Sequence, residues 1–135
     1  MKWLIVVLAI WLGPPPLLPQ AQPRASGKVA NSQASPEVVL GGRVAHEYEK
    51  QAGLGSTPEV AGISGYISNV GNRVAHATRS RFHYHFVFDP NPAFKSAFAL
   101  PGGYIIVGGG LLALAQTEDE LANALAHEIE HVELG

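Results

Sequence analysis

Val60, Ile63, Ile67, Val70 and Val74 recur three or four residues apart, the period of a helix with one apolar face. Thr57-Pro58-Glu59 stands just ahead of them. It supplies a hydroxyl to cap the first amides, a proline suited to the first turn, and an acid at the positive helix end. Ser35-Pro36-Glu37 has the same chemistry and predicts an earlier helix to about Ala52. Gly41-Gly42 weakens that helix and Gly53-Leu54-Gly55-Ser56 breaks it. The period then changes. Phe82, Tyr84, Phe86 and Phe88 alternate with His83, His85 and Val87, which predicts a strand with one aromatic face. Asp89-Pro90-Asn91-Pro92 reads as a loop, because each proline lacks an amide donor and restrains the residue before it. Residues 97–100 and 104–107 are short apolar runs around Pro101-Gly102-Gly103, the pattern of a hairpin whose turn uses glycine at positive φ. Gly108-Gly109-Gly110 reads as a flexible joint into a short helix over residues 111–115.

Thr117-Glu118-Asp119-Glu120 predicts a capping box. The Thr117 hydroxyl accepts from the amide of residue 120, and Glu120 reaches back to the amide of Thr117. Leu121, Ala122, Leu125, Ile129 and Val132 continue as an apolar stripe, so this is the best-defined helix of the chain. Helices with a small sheet and hairpin predict an α+β fold.

Composition narrows the picture. A chain of 135 residues has room for one domain and one core. With 47% hydrophobic and 15% charged residues it is globular, and a formal net charge of −2 gives no reason to expect nucleic acid as a partner. The absence of cysteine removes disulfides, cysteine-ligated metals and a thiol nucleophile, without fixing the compartment. No Lys or Arg follows Lys95, whereas Glu118, Asp119, Glu120, Glu128, Glu130 and Glu133 all do. Either this is a solvated acidic face, or its basic partners lie in sequence that is not present here. At the amino terminus Lys2 precedes an uncharged apolar run, Trp3 to Leu12, which Gly13-Pro14-Pro15-Pro16 ends. Residues 1–21 therefore read as a signal peptide or an uncleaved membrane tether, with a buried helix as the bland alternative. Residues 22–35 read as a linker, and residues 36–135 as the folded part. Export to a periplasm-like compartment, or membrane association through the N-terminus, follows from that leader.

The candidate chemistry lies on the last helix. His127 and His131 stand four residues apart, one above the other on a helix face, so both imidazoles can reach one metal ion. Zinc suits imidazole nitrogen in a tetrahedral site. Glu128 sits beside the first ligand, where its carboxylate can take a proton from a metal-activated water as it attacks a peptide carbonyl. The alternative is a pair of surface histidines beside a solvated acid. A catalytic zinc needs a third protein ligand. Glu133 points away from the metal face, and His46, His76, His83 and His85 all lie upstream. His83 and His85 share a strand face that is either a metal site of its own or simply exposed. The simplest expectation is a third ligand beyond residue 135, with the chain truncated after the motif helix. Leu134 stands where an H-E-x-x-H-x-x-G-x-x-H pattern needs glycine, which disfavours that subclass.

Several blocks carry a resemblance: Ser96-Ala97-Phe98-Ala99-Leu100-Pro101-Gly102-Gly103-Tyr104-Ile105, then Gly110-Leu111-Leu112, Glu118-Asp119-Glu120-Leu121-Ala122, and Ala126-His127-Glu128-Ile129-Glu130-His131-Val132. Residues 58–135, and more loosely 36–57, resemble the HtpX- and BepA-like zinc peptidases, which include the CAAX prenyl proteases and a mitochondrial inner-membrane quality-control peptidase. The exported, soluble branch fits best. The resemblance implies a zincin-like (gluzincin) fold and one zinc per subunit. His127 and His131 would be ligands and Glu128 the general base, with a later glutamate as third ligand. It also implies that the hairpin lies near the metal, with Ala99, Gly102, Gly103 and Tyr104 binding an extended peptide by strand addition. Ser96 replaces the family's usual Asn, and Glu130 its usual Gly.

Two functions follow. One is a zinc metalloendopeptidase acting on exported or misfolded envelope proteins. The other is a catalytically incomplete peptide-binding or chaperone-like remnant. A third outcome is a chain that does not fold alone.

Overall fold

The computed structural model describes residues 34–134. The leader or tether expected at residues 1–21, and the linker up to residue 33, lie outside the described residues. The elements run α1 (Pro36–Gln51), α2 (Pro58–Ala77), β1 (His85–Asp89), β2 (Ala97–Leu100), β3 (Tyr104–Gly108), α3 (Gly109–Leu114) and α4 (Glu118–Leu134). This is an α+β arrangement, as the sequence predicts.

The helix starts are the expected ones. The Val38 amide donates to Ser35 Oγ at 3.4 Å and the Val60 amide to Thr57 Oγ1 at 3.2 Å. The ends show something further. α1 closes with Leu54 N–H to the Glu49 carbonyl at 3.0 Å and Gly53 N–H to the Lys50 carbonyl at 3.2 Å. α2 closes the same way, Ser80 to Ala75 and Arg79 to His76, both at 3.2 Å. Each pair is a Schellman cap, which puts one residue in the left-handed region. Gly53 takes it at φ 62°, while at the end of α2 Arg79 takes it at φ 56°. A side chain there costs about 1 kcal/mol, and no glycine in the sequence announces the turn.

The sheet order is β1-β3-β2. β3 pairs antiparallel with β2, Ala97 opposite Val107 and Leu100 opposite Tyr104, so the hairpin forms as expected. β3 also pairs in parallel with β1, His85 beside Tyr104 and Asp89 beside Gly108. The middle strand is therefore the last one in sequence. Its alternation serves two faces. Ile105 and Val107 join Phe86 and Phe88 of β1, Ile67 and Val70 of α2, and Leu121, Leu125 and Ile129 of α4 in one core. Tyr104 points the other way, towards Gly41 and Gly42 of α1. Phe98 also faces α1, its ring edge-on to Tyr48 at 5.7 Å.

Several local expectations change. The strand begins at His85 rather than Phe82, because Ser80 Oγ accepts the Phe82 amide at 3.1 Å and turns that stretch. Asp89 ends the strand instead of opening the loop. It is buried and accepts from Tyr48 Oη at 2.6 Å and from the Asn91 amide at 2.9 Å. Burial and that carboxylate push the Tyr48 phenol up to about 12. The capping box forms by half. Glu120 N–H reaches Thr117 Oγ1 at 3.2 Å, but the Glu120 carboxylate accepts from the Gln116 amide at 2.7 Å, one residue earlier than predicted.

The triple glycine is not a flexible joint. A Cβ at Gly108 would lie 2.1 Å from the Phe94 carbonyl oxygen, and one at Gly110 would lie 2.3 Å from the Pro92 carbonyl oxygen. These residues let the 90–95 loop pack onto the strand end. Gly41 has the same use inside α1, where a Cβ would fall 1.8 Å from the Pro101 carbonyl oxygen. Gly41→Ala sets two effects against each other. Alanine gains up to about 1 kcal/mol of helix propensity, but a displaced helix–turn contact costs about 1–3 kcal/mol. We expect a net loss of up to about 2 kcal/mol by urea unfolding; a stabilised variant would refute the close approach.

Candidate functional site

α4 is oriented by its apolar stripe. Leu121, Leu125 and Ile129 are fully buried against α2 and the sheet, while His127 and His131 come out exposed. Their Nε2 atoms are 3.1 Å apart and the rings meet edge-on, 76° between planes. Two imidazoles on one tetrahedral zinc, at about 2.0–2.1 Å each, hold their nitrogens about 3.3 Å apart. The donor pair therefore fits one ion. Among the described residues no cluster of three or more His, Cys, Asp or Glu could hold a metal. Glu128 is half-buried next to the first histidine, and Glu130 is exposed.

A cleft of about 450 Å³ runs alongside. Ala99, Leu100, Pro101 and Gly102 line it from the hairpin, His131 and Val132 from α4. Glu37, Leu40, Arg81 and Phe82 complete the walls. The hairpin's open edge faces this space in a usable register. Gly108 N–H bonds the Ser96 carbonyl at 3.0 Å, so alternate pairs carry the ladder and Ala97 and Ala99 direct their N–H and C=O groups away from β3. Of the four hairpin residues singled out from sequence, Ala99 and Gly102 share the cleft with His131. Gly103 and Tyr104 do not line it. Gly103 lies at φ 93° and its carbonyl accepts from the His85 amide at 2.9 Å. The Tyr104 ring stacks on His85, centroids 4.7 Å apart. His83 and His85 are exposed, and no metal-holding cluster forms around them among the described residues.

The acidic helix finds its partners upstream in the same chain. Arg73 and Tyr66 hydrogen-bond Glu118, and the Arg73 bond is the main cause holding that carboxyl below its usual range. At the other end Glu133 accepts from Ser80 Oγ and, at 2.9 Å, from Tyr84 Oη, with Arg81 Nε at 3.8 Å. The Ser80 bond is the first cause of its lowered pKa. Burial, chiefly, pushes the Tyr84 phenol up to about 12. Nothing in the sequence pattern pairs these residues, which come from a loop and a helix end 53 positions apart.

Residues 64–135, more than half of the chain, match the profile of Peptidase family M48. A putative beta-barrel assembly-enhancing protease of Vibrio cholerae is 40% identical over 73 residues, covering 52% of this chain and 14% of its own length. The beta-barrel assembly-enhancing protease of Escherichia coli is 35% identical over 71 residues, 52% of this chain and 14% of its own. The mitochondrial metalloendopeptidase OMA1 of Schizosaccharomyces pombe is 39% identical over 69 residues, 49% of this chain and 20% of its own. The chain thus spans under a quarter of the length of these relatives. The matched region holds β1, the hairpin, the paired histidines and the helix that presents them: the chain belongs to peptidase family M48, with the zincin-like α+β fold its sequence predicts.

Proposed function

We propose that this chain carries the metal-binding and peptide-binding half of a zinc-dependent metalloendopeptidase. The observation that carries this reading is the His127–His131 pair, 3.1 Å apart on a buried-backed helix, with His131 lining the same cleft as an open strand edge. His127 and His131 would hold the zinc. When bound, zinc supplies Lewis-acid polarisation of a carbonyl and lowers the pKa of water. An extended substrate pairs its backbone with Ala99 and runs past Gly102, which keeps the turn flush against α1 at φ 76°. Gly103 and Tyr104 shape that turn rather than touch substrate. The Glu128 carboxylate takes the proton of the attacking water and passes it to the leaving amine nitrogen.

The leader or tether at residues 1–21, the linker at 22–35 and the peptidase part at 36–135 would make the protein exported, in the periplasm or held at a membrane. The names of the Vibrio and Escherichia relatives tie them to β-barrel assembly, which supports exported or misfolded envelope polypeptides as substrates. Among the described residues no helix is long and apolar enough to cross a membrane.

Removal of the metal tests the reading. Cleavage of an unfolded polypeptide is expected to stop in a chelator and return when zinc is restored. Cleavage that continues in the chelator overturns it. A second reading, peptide binding without hydrolysis, is supported by the free hydrogen-bonding edge of β2 at Ala97 and Ala99, which needs no metal to pair with a peptide backbone. It predicts peptide capture that survives chelation, with no product.

A further inference from the structure

We propose that Glu133, held by Tyr84 and Ser80, is a positioning residue that fixes the ring of His131. The inference rests on the reading of His131 as a ligand. His131 lies on α4 two residues before Glu133. Any shift of this turn moves the ring of His131 relative to that of His127, and a two-imidazole site then loses its fixed separation.

Glu133 ties this turn down. One carboxylate oxygen accepts from both Ser80 Oγ and Tyr84 Oη, and the other faces Arg81 at 3.8 Å. Tyr84 Oη also lies 3.5 Å from the carbonyl oxygen of Ile129, one turn earlier on the same helix. The anchors are themselves fixed. The Tyr84 ring is 7% exposed and stacks on Phe86. Ser80 is set by the Schellman cap that turns at Arg79. Arg81 lies over the Phe82 ring at 5.0 Å. Glu133 follows His131 by two residues, about 200° round the helix, so the clamp grips the turn from the flank opposite the metal face. Both its oxygens are engaged there, which removes it from the candidates for the third ligand.

The test uses the full chain with labelled histidines. Tyr84→Phe keeps the buried ring and removes only the hydroxyl; Ser80→Ala removes the second donor. In the metal-free protein both are expected to shift or broaden the His131 imidazole resonances while those of His46 stay in place. Cobalt(II) affinity, read from its visible absorption, should fall by about tenfold, the lower range for lost support of a ligand. Glu133→Ala should do the same, and Glu133→Gln, which keeps an acceptor oxygen, should recover most of it. Unchanged His131 resonances in Tyr84→Phe and Glu133→Ala, with each variant folded by far-ultraviolet dichroism, would overturn the proposal. A wild-type chain that bound no cobalt would instead remove the metal reading, and the ring resonances would still decide whether the clamp orders His131.

Discussion

Glu128→Gln is expected to reduce peptide hydrolysis by about 10²–10⁴-fold, the usual contribution of a general base. That corresponds to about 2.7–5.5 kcal/mol of transition-state stabilisation. The substitution is close to isosteric and leaves the two imidazoles and the open edge of β2 untouched, so zinc uptake and peptide binding should hold. The amide cannot take a proton from water. The loss should therefore fall on the rate of the chemical step, with little change in the substrate concentration at half-maximal rate. Single-turnover cleavage of an unfolded polypeptide, with zinc content measured in the same sample, separates these effects. Hydrolysis at the wild-type rate would sink the role assigned to Glu128. A variant that had also lost its zinc would move that residue from base to structural support.

The second large effect is on stability. Leu125 is fully buried, two residues before His127, in a core that joins α2, the sheet and α4. Leu125→Ala removes apolar contact and leaves a cavity that the surrounding strands can only partly close, at a cost of about 2–5 kcal/mol. Domains of this size are stable by only about 5–15 kcal/mol, so the fraction lost is large. Leu125→Met, close in volume, should cost less than about 1.5 kcal/mol. Urea unfolding of the two variants makes the comparison. A loss below about 1 kcal/mol for the alanine variant would mean that α4 is not seated as described. The site should suffer too, because this stripe is what turns His127 and His131 outward.

Much of the architecture was legible because it depends on neighbours in sequence. Ser35 and Thr57 each sit three residues from the amide they cap, and a hydroxyl with a proline behind it signals that locally. The hairpin was legible for the same reason, since two glycines at positive φ decide its turn. The parallel pairing of β1 with β3 was not. A parallel register is set by a crossover that contains β2 itself, and no short-range pattern encodes which strand will be central. Glycine was misread where its use was contact. Gly41 looks like a weak point in α1 and Gly108-Gly109-Gly110 like a hinge, yet each is small because another backbone passes within van der Waals reach.

At the site the division is sharper. The chain alone determined that His127 and His131 share a helix face with Glu128 beside them, because a helical period of 3.6 residues fixes that relation wherever the helix lies. It also determined the chemistry such a trio can perform. Only the tertiary structure decided that Ala99 and Gly102 share a cleft with His131 while Tyr104 packs under α1. Alternation along a strand assigns faces but does not say which helix covers which face. Only the tertiary structure, likewise, paired Glu118 with Arg73 and Glu133 with Ser80, Tyr84 and Arg81, turning an apparently unpartnered acidic helix into one anchored at both ends. Those contacts join residues dozens of positions apart, and their energy is gained only after the core has brought the elements together.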